Sequence, residues 1–112
     1  MKKQSAPERR LYPRRPLRTK VIFDDEFGDG LFYVYSEDVS MGGIFLASDI
    51  PVRIGTMLFL SFCLHGHKRP IRVTGEVVRR AGGGETGLSG VGIRFVGLSD
   101  LARKRLEEFL SS

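Results

Sequence analysis

Two short stretches hold the residues that could do chemistry. In ERRLYPRRP, residues 8–16, four arginines fall within seven positions: Arg9, Arg10, Arg14 and Arg15. They precede the first alternating segment and follow no amphipathic period. Further on, DVSMGG, residues 38–43, sets a carboxylate (Asp38), a hydroxyl (Ser40) and two glycines (Gly42 and Gly43) at a strand-to-turn junction. The arginine fork suits planar, bidentate recognition of phosphates and guanine edges, whereas lysine acts more as a point charge. Alone, the first stretch reads as a solvated basic tail. Alone, the second reads as an ordinary turn, because Asp and Ser favour turns and glycine supplies φ > 0. Together they supply the donors and the acceptor of an anion-binding clamp.

Other chemistry-bearing residues point to nothing comparable. Cys63, His65 and His67 alternate and would share one face of a continuous strand, a borderline set for zinc or copper. Gly66 and the following Lys68-Arg69-Pro70 turn the chain there instead. Asp24, Asp25, Glu26 and Asp29 miss the EF-hand spacing and read as an acidic hairpin turn. GGGE, 82–85, lacks the lysine and the helix start of a phosphate loop. No base can be paired with Ser40 or Cys63 as nucleophile. The expectation is a non-enzymatic protein with no catalytic residues, no metal and no cofactor.

The totals bound the class. A chain of 112 residues, 41% hydrophobic and 28% charged, fits one soluble domain that needs no disulfide to hold its core. Thirteen arginines and five lysines against 13 acidic residues give a formal charge of +5, which favours an anionic partner mildly. A single cysteine, Cys63, rules out an internal disulfide and suits a reducing cytoplasm. The start MKKQSAPERR lacks the apolar core of a secretory signal. The longest strongly apolar run, MLFLSFCL (57–64), is too short to cross a bilayer as a helix, so no membrane insertion is expected.

The elements that must position these residues follow from periodicity. Residues 1–16, punctuated by Pro7, Pro13 and Pro16, read as a mobile basic arm, and 17–112 as the domain. LRTKVIFD, 17–24, alternates with period two and reads as a strand. LFYVYSEDV, 31–39, is rich in aromatic and branched residues and reads as the next. IFLAS, 44–48, is a short strand broken by Asp49-Ile50-Pro51. MLFLSFCL is expected to be buried on both faces, with Phe59, Phe62, Phe95 and Phe109 as core. IRVTGEVVRR, 71–80, is a long strand with Gly75 as a bulge or kink, and VGIRFV, 91–96, is the last. Leu98, Ala102, Leu106, Phe109 and Leu110 then recur with helical spacing, predicting an amphipathic helix over about 99–110 capped by Ser99 or Asp100. About six strands and one C-terminal helix predict a mainly β, antiparallel barrel, since closure removes exposed edges.

The arm and the junction, in this order, resemble the PilZ domain, a bacterial receptor for cyclic di-GMP. Its pattern is RxxxR followed by [DN]xSxxG. The matching residues are Arg10-Leu-Tyr-Pro-Arg14 and Asp38-Val-Ser40-Met-Gly-Gly43, and GEVVRR and GVGIRFVGLSD resemble the family's last strands and helix entry. The resemblance spans residues 8–110 and implies a six-stranded split barrel with a C-terminal helix. It implies that Arg10 and Arg14 grip phosphate and guanine, with Arg9 as helper, while Asp38 accepts from guanine N1–H and N2–H₂. Ser40 would donate to the ligand, and Gly42 and Gly43 would permit φ > 0 and close backbone approach. Arg15 joins this set more weakly. An extra guanidinium at Arg9, just before RxxxR, favours an intercalated ligand pair. Where many family members carry an aromatic, this chain has Arg79 and Arg80, either of which could stack on an outer guanine.

The implied function is a cytoplasmic receptor whose arm is ordered over cyclic di-GMP and read by a downstream protein partner, in motility or biofilm regulation. Two alternatives remain beside it. One is a PilZ-type adaptor that binds no ligand. The other, less favoured, is a basic barrel that binds nucleic acid on an aromatic platform such as Tyr33 and Tyr35.

Overall fold

Alternating apolar residues with turn signals between them produce seven strands and a helix in the computed structural model, which describes residues 13–25, 28, 31–47, 50–82 and 89–112. The strands are β1 (Arg15–Pro16), β2 (Lys20–Asp25), β3 (Phe32–Val39), β4 (Gly43–Leu46), β5 (Met57–Phe62), β6 (Ile71–Ala81) and β7 (Gly90–Val96), and the helix α1 is Asp100–Ser111. Arg9, Arg10, Glu26, Asp29 and most of the 81–90 loop lie outside the described residues.

All pairings are antiparallel, in the order β1-β3-β2-β5-β6-β7-β4, and β4 also pairs with β3. That last pairing closes six strands into a barrel, with the two-residue β1 as an addition beside β3. The predicted six-stranded antiparallel barrel with a C-terminal helix is the observed fold. Closure leaves few unpaired edges.

β1 and β2 lie along the same side of β3. Arg15 faces Val39 and Pro16 faces Asp38, whereas Lys20 faces Tyr35. The register therefore slips by one residue across Leu17–Thr19, and the predicted continuous strand from Leu17 is interrupted there. Ser36 fills the interruption. It is fully buried; its hydroxyl accepts from Thr19 N–H at 3.1 Å and donates to the Leu17 carbonyl. On the opposite side, the β3–β4 register shifts between Ser36 and Asp38. Bulges of this kind re-aim side chains. Here both Ser36 and Val39 are buried, and Asp38 is only partly so.

The core runs along the barrel axis, with Leu17, Ile44, Leu46, Leu58, Phe62, Leu64, Ile71 and Leu106 among its fully buried side chains. Each contributes about 1.5–3 kcal/mol of burial. Phe62 and Phe95 stack at 6.1 Å. Two expectations are corrected. β5 is not buried on both faces: it alternates, and Phe59 is 53% exposed, because β2 and β6 flank it in a single-layer barrel wall. Phe62, Phe95 and Phe109 are core as expected. Gly75 is no bulge either. It pairs regularly with Leu58 and Phe95, and a Cβ there would lie 2.3 Å from the Ile93 side chain. The β6 bulge falls between Val77 and Arg79.

Ser99 caps α1, accepting from Ala102 N–H at 3.1 Å, and Ala102, Leu106 and Phe109 form its buried stripe. Cys63, His65 and His67 do not share a strand face. β5 ends at Phe62, Gly66 turns the chain at φ 84°, and among the described residues no group of three could hold a metal. No helix among them is long and apolar enough to cross a membrane.

Candidate functional site

The two motifs meet because the sheet brings them together. β1 runs beside the end of β3, so the residue just before it, Arg14, is carried to Asp38. Arg14 Nε lies 3.2 Å from Asp38 Oδ1, with both side chains about one-third exposed (36% and 28%). The N–H is not aimed at that oxygen, which is closed to solvent and makes no hydrogen bond within the chain. The contact is one of charge rather than a hydrogen bond, so the carboxylate's acceptor capacity is not used up. Arg9 and Arg10 fall outside the described residues.

Ser40 shapes the turn after Asp38. Its N–H donates to the Gly43 carbonyl at 2.8 Å, and its oxygen accepts from Gly42 N–H at 3.1 Å and Gly43 N–H at 3.2 Å. It is 3% exposed. Both acceptor positions of the hydroxyl serve the turn, and its single hydrogen is what it can still donate. Gly42 and Gly43 do not adopt positive φ; the described glycines that do are Gly28, Gly55, Gly66 and Gly97. The close approach at Gly43 is made by β7. A Cβ there would sit 2.0 Å from the Ile93 carbonyl oxygen.

Arg14 and Arg15 part company. Arg15 Nη1 donates to the Phe109 carbonyl and to Ser112 Oγ at 2.8 Å, with its guanidinium 4.3 Å from the Phe109 ring centroid. It ties β1 to the C-terminal end of α1, where free carbonyls favour a cation. Arg79 and Arg80 diverge likewise. Arg80 Nη1 donates to the Val52 carbonyl at 2.9 Å.

Arg79 reaches towards the motif, and the registers show why. Asp38 faces Phe45, Phe45 faces Gly92, and Gly92 faces Arg79. These residues form one row across β3, β4, β7 and β6. Gly92 has no side chain to obstruct it, and the Arg79 guanidinium lies 5.2 Å from the Phe45 ring centroid. The row thus offers a carboxylate, an aromatic ring and a guanidinium side by side, with Arg14 at the carboxylate end. Phe45 escaped sequence reasoning, because IFLAS shows a short strand but not which residues lie across from it. Only the register of β4 against Asp38 reveals it.

Tyr33 and Tyr35 lie elsewhere on the wall. Lys20 Nζ sits 4.4 Å from the Tyr33 ring centroid and Arg18 Cζ 5.0 Å from that of Tyr35, and the rings meet edge-on at 86°. With a cation on each ring, they do not offer the paired open faces on which successive bases stack.

The fold is thus a closed six-stranded antiparallel barrel with Arg14 set against Asp38, the first residue of the Asp-x-Ser turn. The PilZ domain model matches residues 8–112, and the chain belongs to the PilZ family. PilZ domains are non-enzymatic receptors for cyclic di-GMP. Among solved structures, the chain is similar to the inhibitor of motility MotI (DgrA) of Bacillus subtilis, at TM-score 0.76 and 16% identity over 99% of this chain and 51% of that one. It thus spans about half the length of that protein. It is also similar to the PilZ domain of YcgR from Escherichia coli with c-di-GMP, at TM-score 0.69 and 15% identity over 92% and 90% of the two chains. The PilZ domain of CeSA from a cellulose-synthesizing bacterium aligns at TM-score 0.66 and 22% identity over 89% and 99%. None of the curated proteins compared with it matches.

Proposed function

We propose that this chain is a cytoplasmic cyclic di-GMP receptor whose arginine arm closes over the ligand and presents the result to a protein partner. The observation that carries this reading is the Arg14–Asp38 contact across β1 and β3. It sets the second arginine of RxxxR against the first residue of DxSxxG. Arg10 and Arg14 act as the clamp on phosphate and on guanine O6 and N7, with Arg9 as helper. Asp38 accepts from guanine N1–H and N2–H₂. Ser40 donates its one hydrogen, and Gly42 and Gly43 carry the turn against the ligand. Arg79 supplies a guanidinium plane for stacking at the far end of the row. Arg15 and Arg80, whose guanidiniums hold α1 and the Val52 carbonyl, act through the fold.

The nucleotide-bound YcgR domain shares this fold, which supports the reading. A second reading, an adaptor without nucleotide, has one observation in its favour: Arg14 and Asp38 already neutralise each other. Titration with cyclic di-GMP, with cyclic di-AMP as control, separates the two. Guanine-selective binding lost in Arg10→Ala/Arg14→Ala supports the receptor. A folded chain that binds neither nucleotide supports the adaptor.

A further inference from the structure

The wall of β2, β3 and β5 carries a concentration of apolar surface that the site does not use. Ile22, Leu31, Tyr33, Tyr35 and Phe59 are exposed large side chains. Ile22 faces Tyr33 on one side and Ser61 on the other, and Asp24 faces Phe59. The inward residues of β2, Val21 and Phe23, are buried, so Lys20, Ile22 and Asp24 share the outer face by alternation. A contiguous apolar patch of this kind marks an interaction surface.

The charges on β2 say what covers it. Along the outer face the strand reads cation, apolar, anion: Lys20, Ile22, Asp24. Lys20 is held in place on the Tyr33 ring, 4.4 Å from its centroid. At the other end, Asp24 Oδ1 is shut off from solvent and has no hydrogen-bond partner. A pattern symmetric about Ile22 but opposite in charge is self-complementary when two strands are laid antiparallel. An isologous two-fold contact requires that property.

We infer that this face is the dimer interface of a second copy of the chain, with Ile22 on a two-fold axis lying in the interface plane and crossing β2. Ile22 meets its counterpart, Tyr33 packs beside its own counterpart on the neighbouring strand, and Lys20 of each copy meets Asp24 of the other. Face-to-face sheets stand about 10 Å apart, within the joint reach of a lysine and an aspartate. The cation brought up to Asp24 offsets the charge of a carboxylate one of whose oxygens, Oδ1, has no hydrogen-bond donor among the described residues of its own chain. Among the described residues Arg72, level with Ile22 through Ser61, makes a like-charge approach, and the roughly 30° crossing of twisted sheets carries it towards the rim. A nucleic acid suits this face less well, because both tyrosine rings already hold cations. Few large apolar side chains contribute to the face, so the dimer is weak and reversible. It is independent of any nucleotide at Asp38.

Sedimentation equilibrium of the full chain without nucleotide, from about 10 µM to about 1 mM, tests this. The expected result is a reversible monomer–dimer equilibrium that Ile22→Asp and the milder Ile22→Ser abolish, with both variants retaining native amide spectra. Lys20→Glu alone weakens association about tenfold or more through like-charge juxtaposition. The swap Lys20→Glu/Asp24→Lys restores it. A chain monomeric throughout the range overturns the inference, as does a dimer that survives Ile22→Asp or a double swap as weak as the single. Binding of single-stranded DNA at Tyr33 and Tyr35 without self-association also overturns it. Because no nucleotide is present, failure here leaves the receptor reading untouched.

Discussion

Arg14 and Arg15 are consecutive, yet they connect opposite parts of the molecule. Arg14 lies 3.2 Å from Asp38 at the end of β3, while Arg15 stacks on Phe109 and donates to the last residues of α1. A strand-like segment sends neighbouring side chains to opposite sides, and β1 uses this to place one guanidinium at the candidate site and one at the helix end.

The first consequence concerns affinity. Arg14→Ala removes the described arginine of the clamp and leaves the core intact. A bidentate arginine–guanine pair gives about 1–3 kcal/mol of discrimination, so cyclic di-GMP affinity falls about 5- to 150-fold by calorimetry. The thermal midpoint changes little, because the pair is a partly exposed charge contact without a hydrogen bond and truncation of Arg14 opens Asp38 Oδ1 to water.

Arg15→Ala has the opposite profile. It frees the α1 C-terminus, costing about 1 kcal/mol through lost charge-assisted hydrogen bonds on a half-exposed surface. Amide exchange rises selectively in the last turn of α1, while nucleotide affinity changes much less than in Arg14→Ala.

Ser36→Ala leaves the Thr19 N–H and the Leu17 carbonyl without their partner at the β1–β2 interruption. Buried groups left unsatisfied cost about 1–3 kcal/mol each. Denaturant unfolding gives a lower midpoint, with the loss at the upper end of that range.

Gly43→Ala is destabilising for a steric reason. The added Cβ would lie 2.0 Å from the Ile93 carbonyl oxygen, and backbone on both strands must move. The cost is about 1–3 kcal/mol, typical of overpacking or higher, read as a fall in thermal midpoint. At Gly92 the nearest atoms are those of the flexible Arg79 side chain, at 3.3 Å. Gly92→Ala therefore shifts Arg79 off Phe45 and lowers nucleotide affinity more than stability.

How legible these features were in the sequence depended on range. Local period drew the barrel strands and α1 and narrowed its cap to Ser99 or Asp100, of which Ser99 is the one used, because alternation and helical spacing are set by neighbours. The β1–β2 interruption was not legible. Leu17, Thr19, Val21 and Phe23 keep perfect alternation, and only the partner strand shows that the register slips and that Ser36 repairs it. Phe59 was misplaced because an apolar run does not reveal that a barrel wall has a solvent side. The motif residues Asp38, Ser40 and Gly43 could be found by type and spacing. Their local duties in the turn and against Ile93 could not, nor could the role of Arg15, whose partner lies 94 residues away. Arg79 could be named as a candidate from sequence, but Phe45, and the row that links Arg79 to Asp38 through Gly92 and Phe45, are visible only in three successive strand registers.

At the centre of the proposal, the arm and the Asp-x-Ser turn hold cyclic di-GMP between them. The most direct measurement is calorimetric titration of the wild-type chain and Arg10→Ala/Arg14→Ala with cyclic di-GMP, with cyclic di-AMP and single-stranded DNA as controls. The account predicts saturable binding of the guanine dinucleotide alone, lost in the double variant while the fold persists. The stoichiometry reports whether Arg9 recruits an intercalated pair. Absence of heat and of chemical-shift change with cyclic di-GMP, or equal binding of cyclic di-AMP, would contradict it.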